Sequence, residues 1–200
     1  MPKTVRFNPE RVAYFEKAGW EAYYARAWLR CLWLLIQLNR EMFRMSWWVA
    51  IQAALDTVRA SMAFAPADND VPKATAHLAA FYAKARHSVG LKPDAETLAV
   101  LEMDYWVVHR QLAITRQKEP TIDNSEPMVQ SLTRLHAAIF DQPSELMRPS
   151  AQLRTQAAVA VDRITGNYST DVAADWCEVE LKLQQAYRAA QGGRDEGVKG

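Results

Sequence analysis

The sequence predicts an all-α fold: a single-domain antiparallel helical bundle of about seven helices, opening with a long N-terminal helix. Three observations lead there. Apolar residues recur at helical spacing through most of the 200 residues. The periodic segments start and stop at capping side chains, prolines and glycines. The alternating β-branched runs and Asn-Gly or Asp-Gly turns of hairpins are missing.

Taken in order, Asn8-Pro9 supplies a capping side chain and a proline in the first turn, and the pattern then runs to about Arg44. Ser46 caps a second helix, from Trp47 to about Ala63, stopped by Pro66. Asp70 and Pro72 open a third, which Gly90 ends after Val89. Pro93, Asp94 and Glu96 start a fourth, over 93–113. The polar stretch from Thr115 to Pro127 reads as a surface linker whose last residues, Ser125 to Pro127, begin a fifth helix reaching about Phe140. "DQPSELMRPS" reads as a turn enclosing one short helical turn. A sixth helix over about 150–165 ends at Gly166, and Thr170 with Asp171 caps a seventh to about Ala190. One domain over 1–190 follows, with 191–200 as a flexible tail, because four glycines among charges leave nothing to bury.

Composition narrows the function. Formal net charge is +1, too little for a whole-protein nucleic-acid partner, since phosphate binding needs many uncompensated Lys and Arg. The charge is uneven: residues 1–60 hold nine basic against five acidic residues, a net of +4. The N-terminus lacks the apolar core of a signal peptide. The longest apolar run, Cys31 to Ile36, is far short of the ~20 residues of a membrane span. A cytoplasmic protein without a transmembrane segment is expected. Cys31 and Cys177 both fall in apolar helical patterns and are expected in the core.

On a helical wheel of the first helix, Arg30, Gln37, Arg40 and Arg44 fall within about 40° of Arg26, a solvated stripe that also contains Trp33. A Trp flanked by arginines is characteristic of association surfaces, so Arg26, Arg30, Trp33 and Arg40 are the expected homodimer seam. Glu21 lies on another side, among Tyr14, Trp28, Leu32, Leu35 and Asn39. A buried carboxylate there needs a partner, and Arg59, beside the Trp48, Leu55, Met62 face of the next helix, is the expected one.

The second informative stretch is "LEMDYWVVHRQL", Leu101 to Leu112. Glu102, Tyr105 and His109 share one face with Leu98 and Leu112, and the acid and imidazole, about 10.5 Å apart along the axis, are too far for direct contact but close enough to reach a shared pocket or to be bridged through the tyrosine. His136 lies beside Leu132 and Ile139 on an apolar face, the position of a satisfied core histidine. Glu-x-x-His, His-Glu-x-x-His and His-x-x-x-His are absent, so no metal motif is present, and no spacing names a cofactor. Gly-x-Ser-x-Gly, Walker and Gly-x-Gly-x-x-Gly motifs are absent too.

These residues lead to a helical binding protein with an aromatic interior, holding an apolar small molecule against Trp20, Tyr24, Trp28, Trp48 and Arg59, and self-associating through its first helix. The alternative is a helical-bundle enzyme whose mononuclear metal or acid/base site is built from Glu21, Glu102, Tyr105 and His109.

Overall fold

Eight helices and no strand occupy the described residues, 5–122 and 124–192, of the computed structural model. They are α1 (Pro9–Tyr24), α2 (Trp28–Phe43), α3 (Trp47–Phe64), α4 (Val71–Val89), α5 (Ala95–Lys118), α6 (Glu126–Phe140), α7 (Ser144–Thr165) and α8 (Val172–Gly192). The connectors are short, so successive axes reverse direction. Each helix packs on the one that follows, and α1 packs on α8, which closes the circuit. The connectors after α1, α3, α5 and α7 therefore lie at one end of the bundle and the others at the opposite end. The tail expected to be flexible lies, from residue 193 onward, outside the described residues.

Side-chain caps set half of the helix starts. The Asn8, Asp70 and Asp94 side chains accept from the backbone N–H groups of Arg11, Lys73 and Thr97, satisfying donors that the first turn leaves free. Small residues set the packing. Ala50, Ala53, Ala54 and Ala60 of α3, Ala74 and Ala85 of α4, and Ala157, Ala158 and Ala160 of α7 have almost no exposed surface. These alanines let neighbouring backbones approach, and the tryptophans of α2 and α3 fall outside the core, while Phe43 and Phe64 are buried. Trp28, Trp33, Trp47 and Trp48 are 43–78% exposed, so the expectation that Trp28 and Trp48 line the interior is corrected.

The long N-terminal helix is likewise corrected. Arg26 adopts a left-handed conformation (φ 56°) between α1 and α2. The Ala27 N–H bonds to the Ala22 carbonyl and the Arg26 N–H to the Tyr23 carbonyl. This closure terminates a helix in the way a glycine at that position usually does. No glycine marks it here, which is why periodicity alone runs on to Arg44. The bundle accordingly has eight helices instead of about seven.

Two further boundaries move for tertiary reasons. α5 continues to Lys118 through part of the expected linker, because Arg116 is drawn inside (2% exposed) to meet Asp162. α7 starts at Ser144 and absorbs Pro149, whose ring removes one backbone bond on an exposed side. Cys31 is buried, whereas Cys177 is exposed, against expectation.

Candidate functional site

Inside the ring lies a cavity of about 540 Å³ with lining residues from all eight helices. Its apolar wall includes Phe15, Trp20, Leu35, Phe81, Trp106 and Ile139. Its polar groups come in three networks, two of which join helices that are distant in sequence.

The first is centred on Glu16, 7% exposed, on the inner side of α1 with Val12 and Gly19. Arg154 of α7 places Nη1 2.6 Å from its Oε1, and Tyr187 of α8 donates its hydroxyl to Oε2. Arg154 also donates to the Tyr187 oxygen at 2.9 Å. Burial works against the guanidinium charge, but Glu16, with Tyr187, Tyr105 and Glu102 around it, holds Arg154 firmly protonated. Its Cζ stands 5.9 Å from the ring centres of both Trp20 and Tyr105.

The second network is Glu102 on α5, which accepts from the Tyr82 hydroxyl at 3.0 Å and from the Trp106 ring N–H at 2.8 Å. Enclosure raises its carboxyl above the usual range, against the opposing pull of Arg154 and these two donors. Burial pushes the Tyr82 phenol up as well. The third is His109, whose Nε2 is 2.9 Å from Asp162 Oδ1, while Arg116 donates to Asp162 Oδ2 at 2.7 Å. Tyr105 stacks on His109 at 5.7 Å with 11° between the planes. His136 completes the lining: it is 4% exposed, its Nδ1 faces Ser150 Oγ at 3.0 Å, and burial together with Arg154 lowers its pKa to about 3.

Two buried N–H groups on the lining have no protein acceptor among the described residues, Asn39 Nδ2 and Arg154 Nε. A buried donor left unmatched is costly, so both mark places where an acceptor belongs.

Of the residues singled out from the sequence, Glu102, Tyr105, His109, Trp20 and Tyr24 line this one cavity. Trp28, Trp48 and Arg59 do not, and their side chains are largely exposed. Glu21 lies outside it too. Its side chain is 29% exposed and pairs with Lys17 at 2.8 Å, so the buried carboxylate of the first helix is Glu16, and Arg59 bridges Asp56 instead. The wheel placed Glu21 with Leu32, Leu35 and Asn39 by assuming one rod, and the break at Arg26 resets that phase. Arg26, in the turn before α2, and Arg30 and Trp33 on α2 are exposed, whereas Arg40 is half-buried, with its guanidinium 3.9 Å above the Trp47 ring.

Glu16, Tyr82, Arg116, Arg154, Asp162 and Tyr187 were not singled out. One signal was present for two of them: Arg154, Ala158, Asp162 and Thr165 fall at helical spacing on the apolar side of α7, where charges are out of place unless paired. Among the described residues, no group of three or more His, Cys, Asp or Glu side chains converges as a metal site would require. Comparison with protein-family models, curated proteins and solved structures finds no match.

Proposed function

We propose that this protein binds a small molecule inside its helical ring, with an apolar body lying against the aromatic wall and an oxygen acceptor, such as a carboxylate, reaching Asn39 and Arg154. One observation carries the reading: a cavity of about 540 Å³, within the usual range for small-molecule sites, is lined by two residues whose buried N–H donors have no acceptor among the described residues. Largely apolar pockets with a few placed polar groups bind by burying the ligand body and orient it by those groups.

The test is calorimetric titration with naphthalene-2-carboxylate and with dodecanoate, two apolar bodies carrying the same head group. Binding of either at one site per chain, weakened about tenfold or more in Asn39→Leu, is the expected result. No binding of either, or binding indifferent to Asn39→Leu and to Arg154→Lys, rules the reading out.

A second reading is favoured by the His109–Asp162–Arg116 chain. With Nε2 engaged by Asp162, Nδ1 is the ring nitrogen left for a ligand, and Glu102 on the same wall holds its proton more readily than a free carboxyl. In that reading His109 acts as base and Glu102 as acid on the bound molecule, with Tyr105 positioning it. Glu21 has no part in it. A compound recovered unaltered after long incubation supports binding alone, whereas conversion that stops in His109→Gln supports the reaction.

A further inference from the structure

The outer side of α2 and α3 carries an apolar surface that nothing among the described residues covers. Leu29 is 87% exposed, Trp48 78%, Met62 70%, Trp33 53% and Trp47 43%. Trp48, Leu55 and Met62 recur every seven residues on one side of α3, and Leu29 and Trp33 are one turn apart on α2. The two rows are joined by the Trp33 and Trp47 rings, 5.5 Å apart. A continuous exposed patch of large side chains marks a contact surface.

Charge identifies the contact. Between Ala25 and Phe64 the chain carries five arginines, Arg26, Arg30, Arg40, Arg44 and Arg59, and two carboxylates, Glu41 and Asp56. Neither carboxylate is free at the surface. Asp56 is 6% exposed and bound to Lys84 at 2.6 Å and to Arg59 at 3.5 Å, and the Glu41 side chain is 17% exposed and bound to Arg11, which leaves Arg26, Arg30, Arg40 and Arg44 without a carboxylate of the patch. The next carboxylates along the chain, Asp68 and Asp70, lie beyond the end of α3, where Asp70 caps α4. The patch is thus cationic and rich in tryptophan, with no exposed acid of its own. A two-fold pairing of this surface with a second copy sets arginines against arginines without a compensating carboxylate. An anionic lipid surface supplies what is missing: phosphate charge for the guanidinium groups and an interfacial layer in which tryptophan rings settle.

We propose that the α2–α3 face docks on anionic membrane surfaces, lying in the head-group layer with Leu29, Trp33, Trp47, Trp48 and Met62 inserted and the arginines on lipid phosphates. The proposal concerns surface attachment only: among the described residues no helix is long and apolar enough to cross a membrane. It is independent of the cavity, and it replaces the homodimer seam expected from the sequence with a different occupant for the same residues.

The experiment is flotation of the full chain with vesicles of equal phosphatidylglycerol and phosphatidylcholine, compared with pure phosphatidylcholine, with tryptophan emission recorded in parallel. The expected result is flotation with the anionic vesicles alone, a blue shift on binding, and release by salt. R26E with R30E should lower partitioning by about 100-fold or more, since each arginine near an anionic surface contributes about fivefold and reversal also adds repulsion. W48E should lower it by about tenfold or more. All three positions are exposed, and an unchanged circular dichroism melt confirms that the variants fold. Failure to float, or equal binding to both vesicle types, overturns the proposal. So does a dimer in sedimentation that W48E turns into a monomer, for then a second copy covers the face.

Discussion

Arg154 reaches across the interior of the bundle to place its guanidinium 2.6 Å from the carboxylate of Glu16, tying α7 to α1 beside the cavity. With Tyr187 bonded to both, the pair unites the three helices that close the ring. Removing one partner leaves the other buried and uncompensated. Glu16→Gln should therefore lower the unfolding free energy by about 3–5 kcal/mol in urea titration. Combining it with Arg154→Met should cost clearly less than the two changes summed, because the double variant strands no charge. Additive losses would mean that the two side chains do not interact.

His136 gives the fold an acid limit. In the folded chain its pKa is lowered from 6.5 to about 3, first by burial and second by Arg154, so the ring stays neutral there while the unfolded chain takes up a proton below 6.5. Its contribution to stability is present above 6.5 and is lost as pH falls toward 3. The loss amounts to roughly 3 kcal/mol by about pH 4.5. Melting temperatures from pH 7 to 4 should fall more steeply for the parent chain than for His136→Gln, and parallel curves would remove the histidine as the cause.

Glu102 acts with the opposite sign. Its folded pKa is raised from 4.5, chiefly by burial, so its contribution is fully present below 4.5 and is lost as pH rises through the folded value. Glu102→Gln should melt no lower than the parent at pH 7 and should flatten the pH dependence on the alkaline side of 4.5. A variant that is destabilised at pH 7 and regains stability at pH 4 would contradict this.

Arg116 and Asp162 hold the last turn of α5 in place. Asp162→Asn leaves the guanidinium of Arg116 buried beside a neutral group and should cost about 3 kcal/mol. The loss should be local as well as global, with hydrogen exchange at Thr115–Lys118 accelerating before that of the α6 and α7 cores. Uniform acceleration across the bundle would show that the ion pair has no special part in ending α5.

Arg26 occupies a left-handed conformation that glycine adopts without strain. Arg26→Gly should raise stability by roughly 1 kcal/mol, while Arg26→Ala should not. Equal melting temperatures for the two variants would argue against strain at this turn.

The amino-acid sequence by itself determined the all-helical class, the order of the elements and most of their starts, because these follow from local rules: apolar spacing, capping side chains at Asn8, Asp70 and Asp94, and prolines in first turns. It also placed Glu102, Tyr105 and His109 on one side of one helix, since three residues within two turns keep their relative phase whatever surrounds them. Only the tertiary structure decided which acid of the first helix is buried. One arginine in a left-handed turn rotates everything after it, and no local propensity announces that turn. Tertiary packing likewise turned the alanines of α3 inward and its tryptophans outward, since the backbone of α3 approaches α2 and α4 closely along its alanine side. The pairing of Glu16 with Arg154 and of Arg116 with Asp162 belongs to the same category: each joins residues far apart in the chain, and their meeting depends on how the ring of helices closes.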